Sequence, residues 1–445
     1  MEDKETVLRA FETFEKQTGA KAPAWIRSVR KEALSRFIQL DFPTLRDEEW
    51  KYTSVEAIVK NSYRFNFESE RDGLSIEKLS SFLIGRSKWP RLVFINGIYC
   101  KELSSPPKSS KGLLVASLWE AFSAGSDMIE SHLAREADFN GNIFTALNTA
   151  FLQDGALILL RKGEVLEDPV HLLFVSPSRG EKVISQPRNL VLLEEGSRAS
   201  VIESYVSPGE DPYFTNAVTE VHLSQGAGLQ HCKIQQESRS AFHVATTEVS
   251  LDQASSLTSH SISTGARVAR NNLNVSLKGE GASCLLNGLY LVRGTQHTDH
   301  HTVIDHILPH GTSRQNYKGI LNDKSRAVFN GKIFVRRDAQ KTDAHQTNKN
   351  LLLSQGATAD TKPQLEIDAD DVKCTHGAAV GALDEAMIFY VKSRGLDETG
   401  ARDLLTYGFA TEITGEVKIE PLRSHLDQLV WKFLERESRT EVTAQ

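Results

Sequence analysis

The stretch LVLLEEGSRASVIESY, residues 190–205, sets an apolar run against a polar turn and follows it with a second run in which apolar and polar residues alternate. Alternation with a period of two marks an extended strand, and Gly196 with the small Ser197 and Ala199 supplies a tight turn between the two. The same unit returns as SQGAGLQ (224–230), LDQASSL (251–257), KGEGASC (278–284), NDKSRAV (322–328) and SQGATAD (354–360). Most copies stand about thirty residues apart, in the range of solenoid repeats. From Gly155 to Val391 helical periodicity is almost absent, and runs such as VATTEVSL, NLNVSL and CLLNGLYLV follow one another. A stacked sandwich of this length would need hairpin turns repeatedly, and Asn-Gly pairs such as Asn330-Gly331 in FNGKIF are scarce. The expectation is a mainly β chain whose core is a parallel β-helix. Such a core is a thin column, with most alternate side chains facing water and its ends covered by flanking helical units.

Those units are legible on both sides. Residues 1–154 read as a mixed, mostly helical domain: Val7, Leu8, Phe11 and Phe14 form one helical stripe, and Trp25, Ile26, Val29, Ala33, Leu34 and Phe37 another. DFPTLRDEEWKYT (41–53) reads as a loop with Trp50 and Tyr52 as packing anchors. Asn96-Gly97 predicts a two-residue hairpin between LVFI and IYCKEL, and 118–122 and 142–152 read as helical. The solenoid is assigned to 155–393 and a C-terminal helical domain to 394–445. There Asp397 caps a helix bearing Ala401, Leu404, Leu405, Phe409 and Ile413, and after Pro421 a second helix bears Leu422, Leu426, Leu429, Val430, Phe433 and Leu434 beside Trp431. This pair suits either a cover for the solenoid or a docking surface for a partner.

Composition narrows the function. A chain of 445 residues with 40% hydrophobic and 25% charged residues has a globular balance, and a net charge of -6 argues against nucleic-acid binding. Cys100, Cys232, Cys284 and Cys374 are widely spaced, which fits reduced thiols in a cytoplasmic setting. The amphipathic N-terminus lacks the apolar region of a secretory signal, and no apolar run approaches the ~20 residues of a membrane span. No Walker A or G-x-G-x-x-G sequence follows a strand, so neither ATP hydrolysis nor dinucleotide binding is supported, and there is no G-x-S-x-G.

Candidate ligands lie in TKPQLEIDADDVKCTHGAAVGALDEAMIFY (361–390), read as short strands rather than a helix. Cys374 and His376, two apart on a strand, point to one face with Cα atoms roughly 6.5 Å apart. One metal ion can bridge them at bond lengths of about 2.0–2.3 Å, with further ligands from elsewhere. The alternative is a small buried cysteine and a hydrogen-bonded histidine. QHTDHHTVIDHILPH (296–310), read as a strand, puts His300 and His306 on one side and His301 and Asp305 on the other, hence no single ligand cluster with His297 or His310. A β-helix carbohydrate-active protein using Asp368, Asp370 and Asp371 is the competing reading, although its usual substrates would call for a signal peptide.

The runs QHTDHHTVIDHILPHGTSRQNYKGIL, AVFNGKIFV, AQKTDAHQTNKNLLLS, TKPQLEIDADDVKCTHGAAVG and IFYVKSRG, together with DFPTLRDEEWKYT and FTALNTAF, resemble the SufB/SufD family of iron–sulfur cluster assembly proteins over nearly the whole chain. The C-x-H-G-A around His376 is similar to the SufD branch; SufB chains resemble H-E-A there. The resemblance implies a right-handed β-helix between helical domains. It further implies a non-catalytic scaffold, not an enzyme in its own right, that pairs with SufB through the C-terminal part of the β-helix and binds the SufC ATPase through the C-terminal helices. A cysteine desulfurase and its sulfur-transfer partner would supply sulfur to SufB, and a nascent cluster would form at the SufB/SufD interface. His376 would then be a cluster or iron ligand in trans, with Cys374 close by. Reduced flavin is associated with the assembled complex, and a homodimer is the alternative state of the chain alone.

Overall fold

A computed structural model describes residues 4–71, 73–85, 89–124, 127–177 and 180–442. Among them the strands form two sheets, of eleven and ten strands, that face each other around a common core. From Phe214 on the chain alternates between the sheets, so each strand pairs in parallel with the strand two earlier. Phe214–Leu223, Phe242–Leu251, Val268–Leu277, His297–His306, Arg326–Val335 and Thr358–Ile367 stack in the first sheet. Gly228, Ser256, Ser283, Thr312, Asp343 and Lys373 begin successive strands of the second in exact step with one another. The expected solenoid is there, and its spacing comes from the turns. Gly196, Gly226 and Gly281 hold φ near +68°, and Ala254 and Asp323 occupy the same left-handed region in their copies of the turn.

Three expectations change. First, Asn330-Gly331 is no turn, and neither is Asn287-Gly288: both pairs lie within strands. A Cβ on Gly288 would stand 2.2 Å from the ring of Tyr317, and one on Gly331 2.3 Å from Nε2 of Gln346, so each glycine makes room for a neighbour inside the solenoid. Second, the outward rows do not mostly face water. Ile202, Cys232, Ile234, Ile262, Leu289 and Leu291, outward on the second sheet, pack under C-terminal helices. The polar content goes inside instead. Third, 385–392 is helical, the first of three helices that follow the last strand.

Helices α1 (Lys4–Gln17), α2 (Ala24–Gln39) and α3 (Ile143–Ala150) pack their predicted stripes together and against Phe214, Phe242 and Val244. The hairpin expected at Asn96-Gly97 forms, between Arg91–Ile95 and Ile98–Tyr99, and its first strand extends the second sheet in parallel. The 41–53 segment is more than a loop. Trp50 lies 3.9 Å beneath the guanidinium of Arg270, Thr53 donates to buried Asp299 at 2.5 Å, and Glu48 and Glu49 pair with Lys362 and Lys332 on the first sheet. At the other end follow α4 (Glu385–Lys392), α5 (Glu398–Thr414, capped by Asp397 through the Gly400 amide) and α6 (Glu420–Val442). They do not close the end of the solenoid: α5 and α6 lie along the second sheet, where Lys318 pairs with Glu412 and accepts the ring of Phe409 beneath it. Among the described residues no helix is long and apolar enough to cross a membrane.

Candidate functional site

The last coil is left bare. Lys373–Gly381 pairs with Asp343–Leu352 on one edge, and Thr358–Ile367 with Arg326–Val335; on their other edges neither strand has a partner among the described residues. Register carries the inward rows straight to this end. Cys374 follows Ala344 and, before it, Ser313 and Cys284, while His376 follows Gln346 and Gln315. Ala344 and Gln346 are 0% exposed, because a further coil covers them. One rung on, no coil follows, so Cys374 is half-buried against the inner core and His376 is exposed. Both side chains thus share one face, as the spacing requires.

Burial pushes the Cys374 thiol above its ordinary range, with the carboxylate of Asp343 adding to the effect. A thiol so placed ionises when a cation or another positive charge arrives. Among the described residues no group of three or more His, Cys, Asp and Glu is placed to hold a metal. The pair therefore offers at most two donors, of the types that suit iron, and an open side. Gly377 keeps the neighbouring outward position clear: a Cβ there would meet nothing.

Behind His376 runs a chain that sequence reading missed. Gln346 Nε2 donates to Gln315 Oε1 at 2.7 Å, and Gln315 Nε2 donates to Thr302 Oγ1 at 2.5 Å from the facing sheet. The signal was available in the roughly thirty-residue offset from Gln315 to Gln346 to His376. A larger group, also missed, sits deeper in the interior. Glu203 takes His231 Nε2 at 3.1 Å, Tyr205 Oη at 2.6 Å and Thr219 Oγ1; Glu237 lies 2.8 Å from His243 Nδ1. Burial raises the Glu203 carboxyl, but the His231 bond and the charge of Lys233 outweigh it and bring it to about 2. Burial also draws the Lys233 ammonium down to about 8.

The histidine-rich strand behaves as its alternation predicts. His300 and His306 face inward and are pushed down, chiefly by burial, to about 3 and about 4. His301 faces outward between Asp299 and Glu49, and His297 meets Thr53 at 2.8 Å. They form no common ligand set. Asp368, Asp370 and Asp371 fall in the connection between the last two strands, where Asp371 pairs with Lys341. The C-terminal helices carry further exposed apolar side chains: Trp431 stacks on Tyr407 at 4.6 Å, and Met387, Phe389, Tyr390 and Leu404 are exposed on α4 and α5.

Residues 174–409 match the family described as SUF system FeS cluster assembly, SufBD core domain, and residues 1–172 the SufBD protein N-terminal region. The chain is 34% identical to the iron-sulfur cluster assembly protein SufD of Escherichia coli, over 88% of this chain and 89% of that one. It is 33% identical to an iron-sulfur cluster assembly SufBD family protein of Synechocystis, over 88% and 87%. With SufD of Bacillus subtilis it shares 26% over 92% and 94%.

Proposed function

The chain belongs to the SufBD family of iron–sulfur cluster assembly proteins, and from that premise we propose that it is a non-catalytic scaffold subunit which presents His376 across a seam with a SufB-type partner. The nascent cluster is the cargo of that seam. His376 is a cluster or iron ligand in trans, and Cys374 stands beside it in the interface. The observation that carries this is the pairing of an exposed imidazole with a bare coil end, whose unpaired strand edges suit a second polypeptide. A labile ligand set divided between two chains can release its cargo when they part. The chain works in the cytoplasm, where its free thiols stay reduced. Sulfur reaches the partner from a cysteine desulfurase through its transfer protein; reduced flavin in the assembled complex has no site on this chain that we assign.

The exposed apolar side chains of α4–α6 support docking of the SufC ATPase to the C-terminal helices. The bare edge also favours a second copy of this chain as occupant when the SufB-type partner is absent.

Two experiments test the reading. His376→Ala in the co-expressed complex is expected to leave assembly intact while iron content and visible absorbance fall to background; retained iron would reject the ligand role. Truncation after Arg394 is expected to abolish capture of the ATPase while sparing the SufB-type partner, and undiminished capture would reject the docking role.

A further inference from the structure

We propose that the cavity between the outer face of the second sheet and the turn joining α5 to α6 is a binding site for a small neutral aromatic molecule carrying one hydrogen-bond donor. The cavity measures about 110 Å³. Cys232, His260 and Leu285 wall it from the solenoid, and Val417, Ile419 and Leu422 from the turn and the start of α6. Its exposed lining is mostly apolar, with Gln230, Thr258, Glu416 and Lys418 supplying a polar rim, and an apolar cavity of about 150 Å³ accepts benzene.

One wall is different in kind. His260 is 5% exposed and shows no hydrogen-bond partner; its Nδ1 is sealed within the protein, so Nε2 is the ring nitrogen a guest in the cavity can reach. A buried imidazole left so is costly, and a guest with one O–H or N–H would satisfy it. Burial, with the positive charges of His231 and Lys418, draws His260 down to about 4, so at neutral pH the ring keeps a bare nitrogen that accepts. The thiol of Cys232, pushed far up by burial, remains an uncharged wall. These features select a flat, neutral guest of some six to eight heavy atoms with its donor at one rim. Because half the walls belong to the solenoid and half to the helical pair, a bound guest ties the α5–α6 turn to the sheet.

Phenol and toluene are the probes, titrated into the full chain by calorimetry, with hydrogen exchange followed over 410–426. Phenol is expected to bind saturably, at least tenfold tighter than toluene, and to slow exchange in that segment. Leu285→Trp, which fills the cavity, should abolish both effects. His260→Leu, of similar bulk, should keep toluene binding and remove the preference for phenol. Absence of saturable phenol binding, unchanged binding in Leu285→Trp, or an unchanged preference in His260→Leu would each overturn the proposal.

Discussion

Replacing Asp299 with asparagine strikes the contact that holds the 47–53 segment on the first sheet. Asp299 is 1% exposed, accepts from Thr53 Oγ1 at 2.5 Å and Arg270 Nη1 at 2.9 Å, and lies 3.1 Å from His301 Nε2. Arg270 is itself buried and donates to the Glu49 carbonyl at 2.5 Å while covering Trp50. The amide keeps the shape but removes the charge and turns an NH2 toward groups that donate. Stripping one partner from a buried pair costs about 3–5 kcal/mol, and an amide oxygen that still accepts one bond returns about 1 kcal/mol. The net is about 3 kcal/mol, on the order of a hundredfold in the opening equilibrium of the segment. Trypsin cleavage at Arg46 and Lys51 should rise by that factor, and the urea midpoint should fall. The pH dependence has a sign. Burial raises the Asp299 carboxyl, but Arg270 and His301 outweigh it and hold it well below the usual carboxylate range. Its contribution is therefore complete above about pH 4, the unfolded value, and is lost as the pH falls below it. The variant should lack that acid loss. Cleavage within threefold of the parent, with an unmoved urea midpoint, would refute the latch.

Two more perturbations probe the solenoid. Gly288→Ala puts a methyl 2.2 Å from the fully buried Tyr317 ring, so a loss of about 1–3 kcal/mol is expected in thermal unfolding; an unchanged midpoint would show that the ring moves freely. Glu248, pushed up to about 8 by burial and then by Glu220, Glu136 and Asp138, binds its proton more tightly folded than unfolded. Stability should therefore decline as pH rises from about 4.5 to 8. Glu248→Gln should flatten that decline and exceed the parent by several kcal/mol at pH 9 in urea titrations; parallel pH profiles would refute the assignment.

Local chemistry made the strands, turns and caps legible. Small residues after Gly196 and Gly226 announced the coil turns, Asp397 its helix, and Asn96-Gly97 its hairpin, because each acts through its own few neighbours. What stayed hidden depends on stacking. Nothing near Asn287-Gly288 says that Tyr317 will lie across it, so the pair resembles a turn until the coils are superposed. The helix at 385–392 reads as a strand because Met387, Ile388 and Phe389 form one apolar run, in which periodicity cannot separate the two states. For the site, alternation alone placed Cys374 and His376 on one face and divided the histidines of 297–306 correctly. The face's position at a bare end, and the Gln315–Gln346 chain behind it, required the register.

The bare end also explains why the helices run along the solenoid rather than over it. A parallel coil exposes a row of unpaired N–H and C=O groups on its last strands, and chains commonly hide such edges with a helix, a proline or a charge. Here α5 and α6 spend their apolar stripes on Ile202, Ile234, Leu289 and Leu291 of the second sheet. Ile367 and Val380 remain exposed on the final strands. Pro363, mid-strand in Thr358–Ile367, removes one donor from that edge. Lys373–Gly381 has no proline and ends in AAVG, a run small enough for a second backbone to approach closely. The less protected of the two edges is thus the one that carries His376. Gly377→Lys, at an outward position where a side chain would meet nothing, should therefore block pairing at this edge without touching the fold. Unaltered melting with lost assembly, by thermal unfolding and by sizing of the co-expressed complex, is the expected pair of results. Intact assembly of Gly377→Lys would move the seam away from this strand and take His376 out of it.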